Sequence, residues 1–171
     1  PGEDAFYKTE LHVFDMPSKS SIQIQLDTVK QQSIQVYRAP LKKSNYDDDF
    51  KPSLLLSKKD KIYYNTISRD RKKLDICVAD INTGATKVLI EERFNTYIES
   101  RPLVLMTNET EILHWAERTG WAHYYLYDTE GNLKNQITKG AFHVENAIGV
   151  DEKSRTLYFS AHGIPKDQDP Y

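Results

Sequence analysis

One cysteine, Cys77, is all the thiol chemistry this chain holds, so no intrachain disulfide framework can staple it. Cys77 sits inside an apolar alternation and reads as a buried thiol, not a nucleophile. The seven glycines fall singly, which excludes a glycine-rich phosphate cradle. No Gly-x-Ser-x-Gly occurs, so the nucleophile elbow of an α/β-hydrolase is missing from this stretch. No apolar run approaches the ~18 residues of a membrane-spanning helix, and no signal peptide is visible. An excess of either charge is also lacking. A net charge of −2 marks neither a nucleic-acid nor an anionic-membrane binder. The five histidines, at 12, 114, 123, 143 and 162, lack the close spacing of a metal site and read as structural or surface residues. Asp47-Asp48-Asp49 lacks the spaced ligands and glycine of a calcium loop and reads as solvated. Neither a metal nor a cofactor is expected.

What is present points to strands. Hydrophobic content of 39% with 28% charge suits a folded domain, and eleven tyrosines accompany short runs of Val, Ile and Leu. Thr9–Asp15 and Ser21–Leu26 alternate as a strand pair, and Ser33–Arg38 is a further short run. The charged, aperiodic stretch Ala39–Pro52 reads as a loop. Strands are then expected at Ser53–Leu56, Lys61–Ile67, Leu74–Ile81 and Thr86–Ile90. The scheme repeats at Pro102–Met106, Glu111–Ala116, Trp121–Asp128 and Leu133–Thr138. It begins a third time at Ala147–Val150 and Arg155–Ala161. Glu117–Gly120 makes a tight hairpin turn, and Trp121 just after it is expected to pack its ring between strands.

The repeat has a length. Lys61-Ile62-Tyr63-Tyr64 aligns with Glu111-Ile112-Leu113-His114, and Asp80 of VADINTG with Asp128 of LYDTEG. Asp15 of VFDMPSK holds the same place in an earlier unit. Periodicity alone would also suit a β-sandwich, but a period of about 50 with four short strands per unit marks propeller blades. The expected class is therefore all-β, a partial β-propeller of four-stranded antiparallel meander blades. The division would be 1–29 as the end of one blade, 30–96 as a second carrying the charged loop 39–52, 97–142 as a third, and 143–171 as the start of the next. In each unit the Asp of Asp-x-x-Gly or Asp-x-x-x-Gly would bond amides two residues on, in the turn to the outermost strand.

WAERTGWAHYYLYDTEGN, followed by QITKGAFHVENAIGVDE and LYFSA, resembles the N-terminal propeller of dipeptidyl peptidase IV-like serine peptidases of the prolyl oligopeptidase superfamily, bacterial type. The family pattern is a Glu-Arg-Asp-Gly-Trp hairpin, a strand ending in Tyr-Asp, and a Thr-x-Gly-x-(Trp/Phe)-x-Val segment. Thr119 stands where the family often has Asp, and Phe142 where it often has Trp. The resemblance implies a catalytically silent piece of a longer chain whose separate α/β-hydrolase domain removes amino-terminal dipeptides. The propeller would gate access of peptide substrates to that domain. It further implies a periplasmic, secreted or envelope location. A propeller scaffold for protein interaction, or an envelope-associated binding propeller without peptidase activity, is the alternative.

No catalytic residue is expected here. In the resembling family the connection corresponding to Arg93–Arg101 brings an aromatic and an arginine to the substrate. Tyr97 is the matching aromatic and the one candidate substrate-binding residue, with packing between blades as its other reading; Ile98 follows it where an arginine is expected. Glu91-Glu92 resembles the family's amino-terminus-gripping pair but ends a strand, and reads as a solvated strand end. A propeller cut open should leave faces bare, at Ile62–Ile67 or Leu157–Phe159, and self-association is expected from them.

Overall fold

In the computed structural model, residues 9–26, 32–38 and 56–163 are described. Two compact units divide the chain, residues 1–98 and 99–171. Every regular element among the described residues is a β-strand. The expected loop 39–52, its three aspartates and the first three residues of the expected strand Ser53–Leu56 lie outside the described residues; Leu56 itself is a bend.

The first unit opens with a hairpin of β1 (His12–Asp15) and β2 (Ser20–Gln23). A four-stranded meander follows: β3 (Gln32–Val36), β4 (Lys61–Ser68), β5 (Lys73–Asp80) and β6 (Thr86–Arg93), in spatial order β3-β4-β5-β6. The strand beside β4 is thus Gln32–Val36, with the charged stretch inserted between the two in sequence. Register pairs Ile62 with Ala79 and Tyr64 with Cys77. These four side chains share one face and form a core with Ile24. The opposite face of β4 is just as dry. Tyr63, Asn65 and Ile67 are buried, and the Asn65 amide donates to the Tyr37 hydroxyl at 3.0 Å. The expectation of a bare face at Ile62–Ile67 is therefore wrong, because β4 is an interior strand buried on both sides.

The second unit repeats the meander with β7 (Val104–Leu105), β8 (Glu111–Ala116), β9 (His123–Asp128) and β10 (Leu133–Gln136), again in sequential order. A hairpin of β11 (His143–Asp151) and β12 (Thr156–His162) follows. Its core is Met106, Leu113, Trp115, Ala122, Tyr124, Leu126 and Val144, with Phe142, Val150, Leu157 and Phe159 packed against it. Leu157–Phe159 is bare only at its centre, where Tyr158 is 56% exposed.

The repeat survives in three dimensions. Lys61 and Glu111 each open the second strand of a meander, and Asp80 and Asp128 each close the third. Asp80 Oδ1 accepts the Asn82 and Thr83 amides, both at 2.9 Å, and Asp128 Oδ1 accepts those of Glu130 at 2.9 Å and Asn132 at 2.8 Å. Those bonds hold both exposed carboxyls below their usual range, with the Thr83 amide the largest cause for Asp80 and the Asn132 side chain for Asp128.

β11 begins four residues before the expected Ala147. Register shifts at Val144/Asn146 and Ala147/Gly149 break the two-residue alternation and hide the strand from a periodicity reading. β9 starts at His123, so Trp121 lies outside it and is only half-buried. The deeply packed indole belongs to Trp115, at 2% exposure.

Candidate functional site

The end of the first sheet where β4 turns into β5 and β6 exits carries the exposed aromatic. Tyr97 is 62% exposed. Ile98 beside it is buried at 3%, its amide donating to the Arg71 carbonyl at 2.7 Å. That anchor fixes Tyr97 against the Arg71 guanidinium, 4.5 Å from the ring centroid. The arginine beside Tyr97 thus comes from another turn of the same unit. Glu91 and Glu92 separate: Glu91 is exposed and 3.6 Å from Arg93, whereas Glu92 is 4% exposed. The expectation of a solvated pair fails for Glu92, since successive strand residues point to opposite faces.

The family-like segment of the second unit proves to be a clasp. The His123 ring, 1% exposed, lies 3.1 Å from both Thr138 Oγ1 and the Gly140 carbonyl. A carbonyl only accepts, so Nε2 carries the proton and the Thr138 hydroxyl donates to Nδ1. Thr138 Oγ1 in turn accepts the Tyr124 amide at 3.0 Å. Burial pushes the His123 imidazole below its ordinary value, with His143 adding to the effect. Phe142 meets the His123 ring edge-on at 5.3 Å. Beyond it the Val144 amide donates to the Ala122 carbonyl at 3.0 Å, and Trp115 Nε1 donates to the Val144 carbonyl at 2.7 Å. The motif therefore ties β8–β9 to β11. Each of these polar groups is satisfied by a neighbour, which leaves the clasp structural.

Glu111 is a second buried charge that sequence reading missed. It is 5% exposed, bonded by Lys134 and by Arg155, whose Nη2 donates to Oε1 at 3.2 Å. The Arg155 guanidinium, and after it the Lys134 ammonium, hold the carboxyl at about 2, against an ordinary 4.5. Aligned with Lys61 at the head of a strand, Glu111 carried no sequence signal of burial. Nearby, Glu152 accepts the Thr107 amide at 2.6 Å and its hydroxyl at 2.7 Å.

Glu111→Gln should lower stability by about 1–3 kcal/mol at neutral pH, the range for hydrogen bonds to charged groups. A depressed carboxylate stabilises the fold above its unfolded value and loses that contribution as pH falls toward its folded one. The gap between wild type and variant is therefore expected to close between pH 4.5 and about 2 in urea titrations.

A cavity of about 70 Å³ lies within the second unit among Met106, Leu113, Leu126, Ile137, Val150 and Leu157. Glu152 and Arg155 on its wall are already engaged by Thr107 and Glu111. It reads as a packing gap. Among the described residues no three His, Cys, Asp or Glu side chains group to hold a metal ion. No helix there is long and apolar enough to cross a membrane.

Successive four-stranded meanders with both faces of their inner strands buried define a partial β-propeller. The chain belongs to the family described as the dipeptidyl peptidase IV (DPP IV) N-terminal region, whose model it matches over residues 5–171. It is similar to the crystal structure of Porphyromonas gingivalis dipeptidyl peptidase 4, with a TM-score of 0.71 and 19% identity, over 90% of this chain and 20% of that one. Among sequences, dipeptidyl peptidase 4 of Trichophyton rubrum is 29% identical over 113 residues, 63% of this chain and 14% of that protein. Dipeptidyl peptidase 4 of Arthroderma otae is 39% identical over 46 residues, 27% of this chain and 6% of that protein. The chain thus spans a small share of its relatives' length.

Proposed function

We propose that this chain is the non-catalytic propeller portion of a dipeptidyl peptidase IV-like serine exopeptidase. It gates and shapes access to a separate α/β-hydrolase domain that removes dipeptides from the amino terminus of peptides. The family match over residues 5–171, in a sequence without Gly-x-Ser-x-Gly, carries this reading. The four sheets are successive blades, divided at 29/30, 96/97 and 142/143. Tyr97, exposed beside Arg71, is the peptide contact. A periplasmic, secreted or cell-envelope location accords with an enzyme that meets extracellular peptides.

The isolated chain is expected neither to hydrolyse a Gly-Pro chromogenic amide nor to react with a fluorophosphonate serine probe. Turnover that the probe abolishes would overturn the reading. In the longer protein, Tyr97→Ala should raise KM for dipeptide amides. Self-association of the isolated chain is part of the same proposal, because Phe14, Met16, Ile148 and Tyr158 are exposed apolar side chains. Light scattering across a wide concentration range should show a mass above that of one copy; a strictly monomeric mass would count against it.

A further inference from the structure

The β4–β5 turn is the most cationic short segment among the described residues. Ser68-Arg69-Asp70-Arg71-Lys72-Lys73 places four cations and one acid in six residues. Asp70 Oδ1 accepts the Ser68 hydroxyl at 2.6 Å and the Lys72 amide at 3.2 Å, which shapes the turn and keeps the carboxylate ionised, so four cations less one acid leave the segment at +3. Ser68 Oγ accepts the amides of Lys72 and Lys73 at 3.2 and 3.0 Å. Arg71 takes a left-handed backbone, φ 54°, with its amide donating to the Ser68 carbonyl at 2.9 Å. The turn is therefore rigid, and its charges are displayed from a fixed frame. The neighbouring cation Arg93 is answered by Asp75 at 2.5 Å and by Glu91.

Against this frame lies the Tyr97 ring, backed by Arg71. The Phe94 amide donates to the Lys72 carbonyl at 3.0 Å, which joins the exit of β6 to the same turn. Lys72 and Lys73, which follow Arg71 in the same turn, are exposed. An exposed ring with a guanidinium over it, held by a turn that also presents two exposed lysines, suits a ligand with an apolar ring and carboxylates around it.

We infer that the β4–β5 turn and Tyr97 form a docking surface for an acidic peptide. A proline or aromatic ring of the peptide lies on Tyr97 while its carboxylates meet Arg71, Lys72 and Lys73. The surface shares Tyr97 with the peptide contact proposed above, but binding here requires no turnover. The test therefore leaves the peptidase reading standing if this inference fails.

The experiment uses the 171-residue chain and a fluorescein-labelled peptide of glutamates around a central proline, read by fluorescence anisotropy. Saturable binding is expected, weakening with salt because the Debye length shrinks from about 8 Å at physiological ionic strength to about 3 Å at 1 M. The same peptide with glutamines should not bind. Tyr97→Ala and a Lys72→Glu/Lys73→Glu double variant should each weaken binding about tenfold or more, with unchanged circular dichroism. Absence of binding, or binding that Tyr97→Ala leaves unchanged, would overturn the inference; the latter would mean bulk attraction of a polyanion to lysines.

Discussion

Trp115→Ala is expected to lower unfolding stability by about 3–5 kcal/mol, the range for truncating a buried tryptophan. The indole is 2% exposed in the core of the second unit. Its Nε1–H meets the Val144 carbonyl at 2.7 Å, Arg101 lies 5.3 Å over the ring, and His143 approaches edge-on at 5.9 Å. Truncation thus removes apolar burial and leaves one buried acceptor unpaired at the join between two sheets. Trp115→Phe keeps most of the ring and should cost about 1–2 kcal/mol, chiefly the lost hydrogen bond. Trp121→Ala, at the half-buried position after the turn, should cost about 1 kcal/mol or less. Urea denaturation followed by circular dichroism ranks the three. Equal losses at Trp115 and Trp121 would contradict this packing.

Gly84→Ala should be the most damaging glycine substitution, at about 2–4 kcal/mol. The residue sits at φ 75°, and a Cβ there would lie 2.4 Å from the Gln23 carbonyl oxygen and 3.2 Å from Ile22 Cγ2. The obstacle is backbone, which cannot swing aside. The Gly84 carbonyl accepts the Gln25 amide at 2.8 Å, and Thr86 Oγ1 donates to the Gln25 carbonyl at 2.7 Å, so the β5–β6 turn is zipped to the strand leaving β2. Gly120 provides the contrast. Its φ is 81°, yet a methyl group added there would meet nothing within 4 Å, so Gly120→Ala should cost only the backbone term of about 1–2 kcal/mol. Hydrogen exchange at the Gln25 amide should accelerate sharply in Gly84→Ala and stay unchanged in Gly120→Ala.

The strand ladder was legible in the sequence because tyrosines and branched aliphatics alternate there, and because two aspartate turns recur at matched places. Trp121 misled because a tryptophan after a tight turn looks like a core residue, whereas β9 begins two residues later. β11 was half hidden by its two register shifts. Glu92 and Glu111 were unreadable for a shared reason. Local pattern predicts that a charged residue faces water, while burial is decided by which side chains arrive from elsewhere. Arg155 reaches Glu111 across 44 positions of chain. Tyr97 was singled out by motif position alone, and its guanidinium neighbour could not be, since Arg71 belongs to a different turn.

The Val144 backbone is held twice, its amide by the Ala122 carbonyl and its carbonyl by the Trp115 indole, and the Tyr124 hydroxyl accepts the Ala147 amide at 2.8 Å. All three of those partners lie on or beside β8 and β9, earlier in the chain. A chain emerging from a ribosome therefore exposes the template before the strand that must read it. Those three bonds cannot form until the earlier hairpin exists, and once it does, the entry of β11 has only one alignment to adopt. Assembly of the second unit acquires a direction from this geometry, its four-stranded sheet serving as the mould for the entry of β11.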